Sequence, residues 1–290
     1  MSLFARFQST AIFITILFLT ACGGGGGSSS NGNPSQAPSV AAETNQLFIA
    51  GGGIKGPLAF ATVKLYAADT RFDALYDSAR PLASATTNAY AQITGLPVPR
   101  DVRPPYILVI DGSNATDLNT NVAPVLHKLV TVITQASLDA RQPIFATPYT
   151  TLAYHMLRAD ASSSVNSSLF EQGTLANFSS LSIESVGFGM SATIIDVFTT
   201  PPILTRATTT IKAQQQVVQY RAAIEAFSTL LHDIHLSIQG VTSDELLELI
   251  GFDLYDDGML NTIQSVWDIA GVLAQEPMTL QIANTVYQVK

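Results

Sequence analysis

Ile54-Lys55-Gly56-Pro57-Leu58-Ala59-Phe60-Ala61-Thr62-Val63-Lys64-Leu65-Tyr66 is the stretch that decides the fold. In its second half Val63 and Leu65 point one way while Thr62, Lys64 and Tyr66 point the other, the two-residue period of a half-buried strand. Working outward, Gln46-Leu-Phe-Ile-Ala50 is short and apolar and is followed by three glycines. Pro81–Thr86 is a weaker strand pattern, and Tyr90-Ala-Gln-Ile93 alternates again until Gly95 and Pro97 stop it. Tyr106-Ile-Leu-Val-Ile110 is a continuous apolar run closed by Asp111-Gly112, as a central strand would be. Short strands with turn signals at this spacing predict an antiparallel β-sandwich of the immunoglobulin type over residues 45–145.

The remainder, residues 146–290, reads as helical. Thr147 is placed to cap free backbone N–H groups and Pro148 suits the first helical position. Pro201-Pro202 breaks the chain. After it, Ile211, Val218, Ile224, Phe227, Leu231 and Ile234 fall close to helical spacing, predicting a long amphipathic helix over 205–236. Ser243-Asp-Glu-Leu-Leu-Glu-Leu-Ile250 reads as a capped helix, and Thr262–Ala274 as another. The fold class expected is therefore mixed, β and then α.

The first block resembles the carboxypeptidase-regulatory-like or transthyretin-like β-sandwich modules, whose pattern runs "G-x-I-x-G-P-L-x-x-A-x-V-x-L". Gly53 leads into Ile54, Gly56, Pro57, Leu58, Ala61, Val63 and Leu65 in that order. In the second block, Thr87-Asn88-Ala89-Tyr90 carries Ala89 where those modules usually carry a hairpin glycine. Thr147-Pro148-Tyr149-Thr150-Thr151-Leu152 resembles the "T-P-L-T-T-L" that follows such modules in uncharacterised proteobacterial lipoproteins. The resemblance implies a spacer, adhesive or accessory unit leading into a helical domain, and no chemistry.

Residues 1–21 combine one positive charge, Arg6, with the apolar run Ala11–Leu19 and small residues at its end, the layout of a signal peptide. A bilayer span needs about 20 apolar residues, more than this run supplies. Leu19-Thr20-Ala21-Cys22 resembles the lipobox of bacterial lipoproteins, which implies cleavage before Cys22 and diacylglycerol on its thiol. Two or more acyl chains hold a protein on a membrane stably. Gly23 rather than Asp at the next position resembles the sorting rule for the outer membrane, on a face the sequence leaves open. Residues 22–44 are then a lipidated cysteine and a Gly/Ser-rich leash with an end-to-end distance of about 25 Å.

Composition narrows the partners. Charged residues make up 12% of the chain, about half the usual share. Without Arg6, 13 basic residues face 22 acidic ones, a net charge of −9 after cleavage. An acidic chain lacking a Lys/Arg cluster does not collect phosphate charge, so nucleic acid is not an expected partner. The single cysteine allows no internal disulfide.

Three constellations carry possible chemistry. Gly189-Met190-Ser191-Ala192-Thr193 is the nearest approach to a nucleophile elbow, with Asp196 close by and His232 and His235 downstream; Thr193 stands where the motif needs glycine. His232 and His235, three apart on a helix, are within reach of one metal ion, but no third ligand sits at a recognisable spacing. Asp253, Asp256, Asp257 and Gly258 resemble part of a calcium loop, with Tyr255 and Gln264 in place of two of its ligands. Asp111, Asn114 and Asp117 form a second oxygen-rich loop. The expectation from these residues is a lipid-anchored envelope protein with a non-catalytic binding, adhesive or scaffolding role toward an envelope protein or glycan. The alternatives are an envelope serine hydrolase centred on Ser191 and a surface stalk stabilised by calcium; no cofactor is expected beyond the acyl lipid on Cys22.

Overall fold

The alternation in Thr62–Tyr66 builds a strand at the middle of a sheet. In chain order the strands are β1 (Phe48–Ile49), β2 (Gly51–Gly53), β3 (Leu58–Ala59), β4 (Thr62–Ala67), β5 (Ala83–Thr87), β6 (Ile93–Thr94), β7 (Leu96–Pro97), β8 (Tyr106–Asp111), β9 (Thr116–Asp117), β10 (Lys128–Ile133) and β11 (Ile144–Ala146), with a short helix α1 (Gln135–Asp139) before the last. This is a computed structural model; it describes residues 46–163, 169–206, 208–237 and 240–260, and the backbone of short strands beyond. Cys22, the leash and the signal-peptide reading lie outside the described residues.

Five of the strands form an antiparallel sheet in the order β10-β8-β4-β5-β6. Val63 lies opposite Ile110 and Leu65 opposite Leu108, so two apolar patterns share one register. Smaller pairs flank the sheet: β1 with β7 and β3 with β9 antiparallel, β2 with β11 parallel. Val63 and Leu65 are buried as expected, but so is Tyr66, because Tyr76 stacks on it with ring centroids 4.3 Å apart. The strand expected at Tyr90–Ile93 is corrected: pairing begins at Ile93, and Asn88–Gln92 is the connecting loop. Asn88 Oδ1 accepts from the N–H groups of Tyr90 (2.9 Å) and Gln92 (3.0 Å), an Asx-type closure that takes the place of a hairpin glycine.

The helices are α2 (Pro148–Ser163), α3 (Gln172–Val186), α4 (Ile211–Ser237) and α5 (Ser243–Asp257). Sheet and helices share one hydrophobic core, and residues 45–290 form one compact unit. The outer edge of β10 would leave backbone groups unpaired, a cost when water is excluded. Side chains from the helices take them up. Thr151 Oγ1 accepts from Val130 N (2.9 Å) and Thr150 Oγ1 donates to Val130 O (2.7 Å). Both carboxylate oxygens of Asp244, in the first turn of α5, accept from the N–H groups of His127 and Lys128 at 3.0 Å. The Thr-Pro-Tyr-Thr-Thr motif is thus a helix start whose threonines finish a strand edge. Tyr149 joins the helices to one another, its hydroxyl reaching Val186 O at 2.7 Å and Ala223 O at 3.2 Å.

Two helix expectations change. In α4 the buried positions include Val217, Tyr220, Ile224, Phe227, Leu231 and Ile234, whereas Ile211 and Val218 are 76% and 65% exposed. At about 100° per residue, Val218 stands roughly 240° round the helix from Ile224 and cannot share its face. The helix expected over Thr262–Ala274 is not found where the chain is described: β12 (Thr262–Ile263) pairs with β13 (Trp267–Asp268), and the rest of that stretch lies outside the described residues. A further hairpin joins β14 (Met278–Ile282) and β15 (Thr285–Val289).

Candidate functional site

The motif Ile54-Lys55-Gly56-Pro57 makes a tight turn, Ile54 bridging to Pro57, with different surroundings on its two sides. On the inner side the Lys55 side chain is 8% exposed and its Nζ lies 3.2 Å from Oδ2 of Asp117, which is fully buried. Glu225 Oε2 is 3.9 Å from the same nitrogen, and Arg221, one helical turn before Glu225, pairs with that carboxylate and donates to Lys55 O at 2.9 Å. Asn119 contributes its N–H to Asp117 Oδ1 (2.9 Å) and its amide to Glu225 Oε1 (2.7 Å). Two cations and two anions balance, which buried charges require. Burial pulls the Arg221 guanidinium below its ordinary value, against the opposing pull of Glu225 and Asp117. Gly56 is obligatory here, because a Cβ would sit 1.6 Å from Asp117 Oδ1. This cluster is a latch between the turn and α4.

On the other side of the turn lies a surface cleft of about 450 Å³. Ile54, Pro57, Pro143 and Phe145 are among its apolar lining, and Tyr90–Gln92 of the loop, Ile93 at the start of β6 and the Ile203–Arg206 segment also line it. Tyr90 is 79% exposed and Leu204 65%. The loop is seated on β2 closely enough that a Cβ on Gly52 would fall 2.4 Å from Ala91 O, and Ala91 adopts a left-handed φ of 59°. The Ile203–Arg206 part of the lining is pinned by a threonine pair: Thr205 N donates to Thr208 Oγ1 at 2.7 Å, and Thr208 N to Thr205 O at 3.0 Å. Next to the loop, Phe60 is 58% exposed with a left-handed φ of 63°, its N–H bonded to Thr87 O. A bulky residue in that region is uncommon and is held there by its surroundings. Apolar walls, fixed backbone and few polar groups are the ingredients of a binding cleft.

The residues singled out in the sequence stand elsewhere. Ser191 follows α3 in a turn, its hydroxyl bonded to Thr193 Oγ1 at 2.8 Å, and its carbonyl accepts from Ile194 and Ile195 N–H. A nucleophile elbow joins a strand to a helix, which this turn does not. Gln216 Nε2 holds Ile194 O at 2.8 Å, so the turn sits beside the first half of α4, and His232 is sixteen residues farther on. That is about 24 Å at 1.5 Å per residue, so the Ser191, Asp196 and histidine set is not brought together. His232 and His235 do lie side by side, ring centroids 6.4 Å apart, with His235 Nδ1 on Val241 O at 2.5 Å. Among the described residues no group of three or more His, Cys, Asp or Glu side chains gathers as a metal site.

The loop geometry expected around Asp253, Asp256 and Asp257 is corrected, because all three lie on α5. Leu246, Leu247, Ile250 and Leu254 bury one face of that helix and carry it through Asp257, and Gly258 closes it in the left-handed conformation, φ 76°. A calcium loop needs its oxygens converging from an irregular backbone, whereas these carboxylates stand on a regular helix and do not gather as a metal site. Asp117 of the second oxygen-rich loop is committed to Lys55. Tyr90, Leu204 and Phe60 carry no functional expectation from sequence; the available signal is a large aromatic in the loop at 88–92 and a bulky residue in the turn between β3 and β4.

No protein-family model, no curated protein and no solved structure matches the chain.

Proposed function

We propose that this chain is an outer-membrane lipoprotein, acylated on Cys22, whose folded part is a non-catalytic module binding an envelope protein or glycan in the cleft above the Ile54–Pro57 turn. The observation that carries the reading is that two exposed apolar side chains, Tyr90 and Leu204, from segments far apart in sequence line one largely apolar cleft. Isolated exposed apolar residues are ordinary, whereas a grouped set over a preformed concavity marks an interaction site. The lining offers amides, hydroxyls and Arg206 to orient a ligand. The five-stranded sheet with its flanking strand pairs, β1–β7, β2–β11 and β3–β9, supports an immunoglobulin-like sandwich for residues 45–145.

The test uses the acylated protein immobilised in detergent and exposed to envelope proteins and to envelope glycans. Retention of a ligand by the wild type, weakened at least about tenfold in Tyr90→Ser/Leu204→Ser, is expected, since truncating buried anchor side chains costs a kcal/mol or more each. A ligand retained equally by the double variant, or none in any fraction, counts against the cleft. Acylation is read independently by intact mass: an unmodified residue 22, or the first twenty-one residues still attached, removes the anchor.

A further inference from the structure

In an acidic chain, the cleft above the Ile54–Pro57 turn carries the opposite sign. Arg206 is its one charged lining residue, and no Asp or Glu lines it. Arg206 is exposed and enters none of the ion pairs among the described residues. A second surface cleft, lined by Arg71 and Arg80, shows the alternative: each arginine there faces an aspartate, Asp69 at 2.6 Å and Asp77 at 3.5 Å. The rest of the polar inventory around Arg206 is small. The N–H groups of Tyr90 and Gln92 are spent on Asn88 Oδ1, and that of Ala91 on Asn88 O. Gln92 Oε1 accepts from Asn88 Nδ2 at 3.4 Å, and Thr205 Oγ1 lies 3.0 Å from Thr208 Oγ1. Tyr90 Oη, Gln92 Nε2 and the Arg206 guanidinium are the side-chain groups left to meet a ligand, among the apolar surfaces of Ile54, Pro57 and Leu204.

We infer that the cleft takes an apolar peptide segment carrying one carboxylate, which Arg206 pairs while Tyr90 and Leu204 hold the apolar part. This deepens the cleft reading proposed above and rests on it. A guanidinium presents two parallel N–H donors that match the two oxygens of a carboxylate. Beside an apolar concavity it attracts an anion more strongly than in open water, because the lining displaces solvent from one side. With the loop N–H groups committed to Asn88, the specificity for an anion falls on Arg206. A glycan fits this inventory less well. Its hydroxyls lose hydration on burial and each needs a partner, and the lining has no carboxylate and a single side-chain amide, Gln92. The carboxylate has two sources, a chain terminus or an acidic side chain within the segment.

The test is a methyl NMR titration of the full acylated protein in detergent, isotope-labelled at Ile and Leu, so that Ile54, Ile93, Ile203 and Leu204 report on the cleft. The probes are N-acetyl-Leu-Phe as free acid and as amide, N-acetyl-Leu-Glu-Phe amide with its Gln counterpart, and di-N-acetylglucosamine. In at least one of the two peptide pairs the charged member should bind at least about fivefold more tightly than its neutral counterpart, and the pair that shows this names the source of the carboxylate. In Arg206→Gln the preference should fall to within about twofold, the pairing having lost its cation. Detergent takes up each probe equally in both titrations, so the change in ratio belongs to the site. Equal binding of charged and neutral members, or a preference that Arg206→Gln leaves intact, overturns the carboxylate pairing and leaves the cleft standing. Tighter binding of the disaccharide than of every peptide overturns the peptide class. If no probe shifts these side chains, the pairing and the cleft fall together.

Discussion

Removing the Asp117 carboxylate is the sharpest test of the latch that positions the cleft. Asp117 is fully buried and its two oxygens serve Lys55 Nζ at 3.2 Å and Asn119 N at 2.9 Å. In Asp117→Ala the ammonium of Lys55 is left in a site where its side chain is 8% exposed. Breaking a buried pair from one side costs about 3–5 kcal/mol, most of it the stranded charge. Glu225 stays 3.9 Å from that ammonium and offers a partial partner, which places the expected loss at the lower end, about 3 kcal/mol. For a folded unit of this size that is a fall in Tm of about 6–12 °C. Gly56→Ala should reproduce much of the loss without touching a charge, because its Cβ would displace the carboxylate. Lys55→Met/Asp117→Ala, which strands no charge, should regain at least about half of it. Urea and thermal unfolding followed by circular dichroism measure all three. The reasoning is refuted if Asp117→Ala lies within about 1 kcal/mol of the wild type, or if the double variant is no more stable than the single one.

Three other outcomes are expected. His155 is held well below its ordinary range by burial first, then by Arg158 and Lys128, so it stays neutral in the fold while the unfolded chain takes up its proton. Its contribution is intact above pH 6.5 and falls by about 1.4 kcal/mol per unit below it; stability of wild type against His155→Gln, compared from pH 7.5 to 5.5, should show that slope only in the wild type. Tyr149→Phe removes the donor shared by Val186 O and Ala223 O and should cost about 1–3 kcal/mol in urea unfolding. Gly52→Ala presses on Ala91 O and should cost about 1–3 kcal/mol, with amide shift changes concentrated in residues 88–93 of the NMR spectrum.

What the sequence made legible was what repeats locally. β4 and β8 follow from alternation and from an unbroken apolar run, and α2 from Thr147 and Pro148, because each signal lies within a few residues of the structure it predicts. β10 carries no sequence expectation although Leu129-Val130-Thr131-Val132-Ile133 is rich in β-branched residues; it pairs with β8 on one side, and the partners of its outer edge lie on α2 and α5, so its role as a buffered edge exists only once those helices dock. Exposed Ile211 and Val218 show the complementary error, since apolar residues near helical spacing need not all lie on the buried face. The latch joins Lys55 to Asp117 and to Glu225 across sequence separations no periodicity spans. The cleft was illegible for the same reason, two loops brought together by the packing of other elements.

The low charge content is where composition and architecture meet. A fold with few charged residues has to join its layers largely with other polar groups, and beside the Asp244 carboxylate on the sheet edge and the Arg158–Glu248 pair several seams here are hydroxyls: Thr150 and Thr151 on β10, Tyr149 on α3 and α4, Thr147 on Tyr220 at 2.8 Å, and Thr87 linking Leu58 O at 2.6 Å to Ala61 N. A hydroxyl loses far less hydration on burial than an ion and serves as donor and acceptor at once. Hydroxyls therefore suit a seam between a sheet and helices better than scattered ion pairs, whose desolvation must be offset at every site. The Lys55–Asp117–Arg221–Glu225 cluster differs in gathering four charges, and it holds the turn beside it to α4. A floor fixed by balanced buried charge, under walls fixed by an Asx closure and a threonine pair, gives a cleft whose shape precedes any ligand, and preorganisation of that kind favours affinity from a small apolar contact.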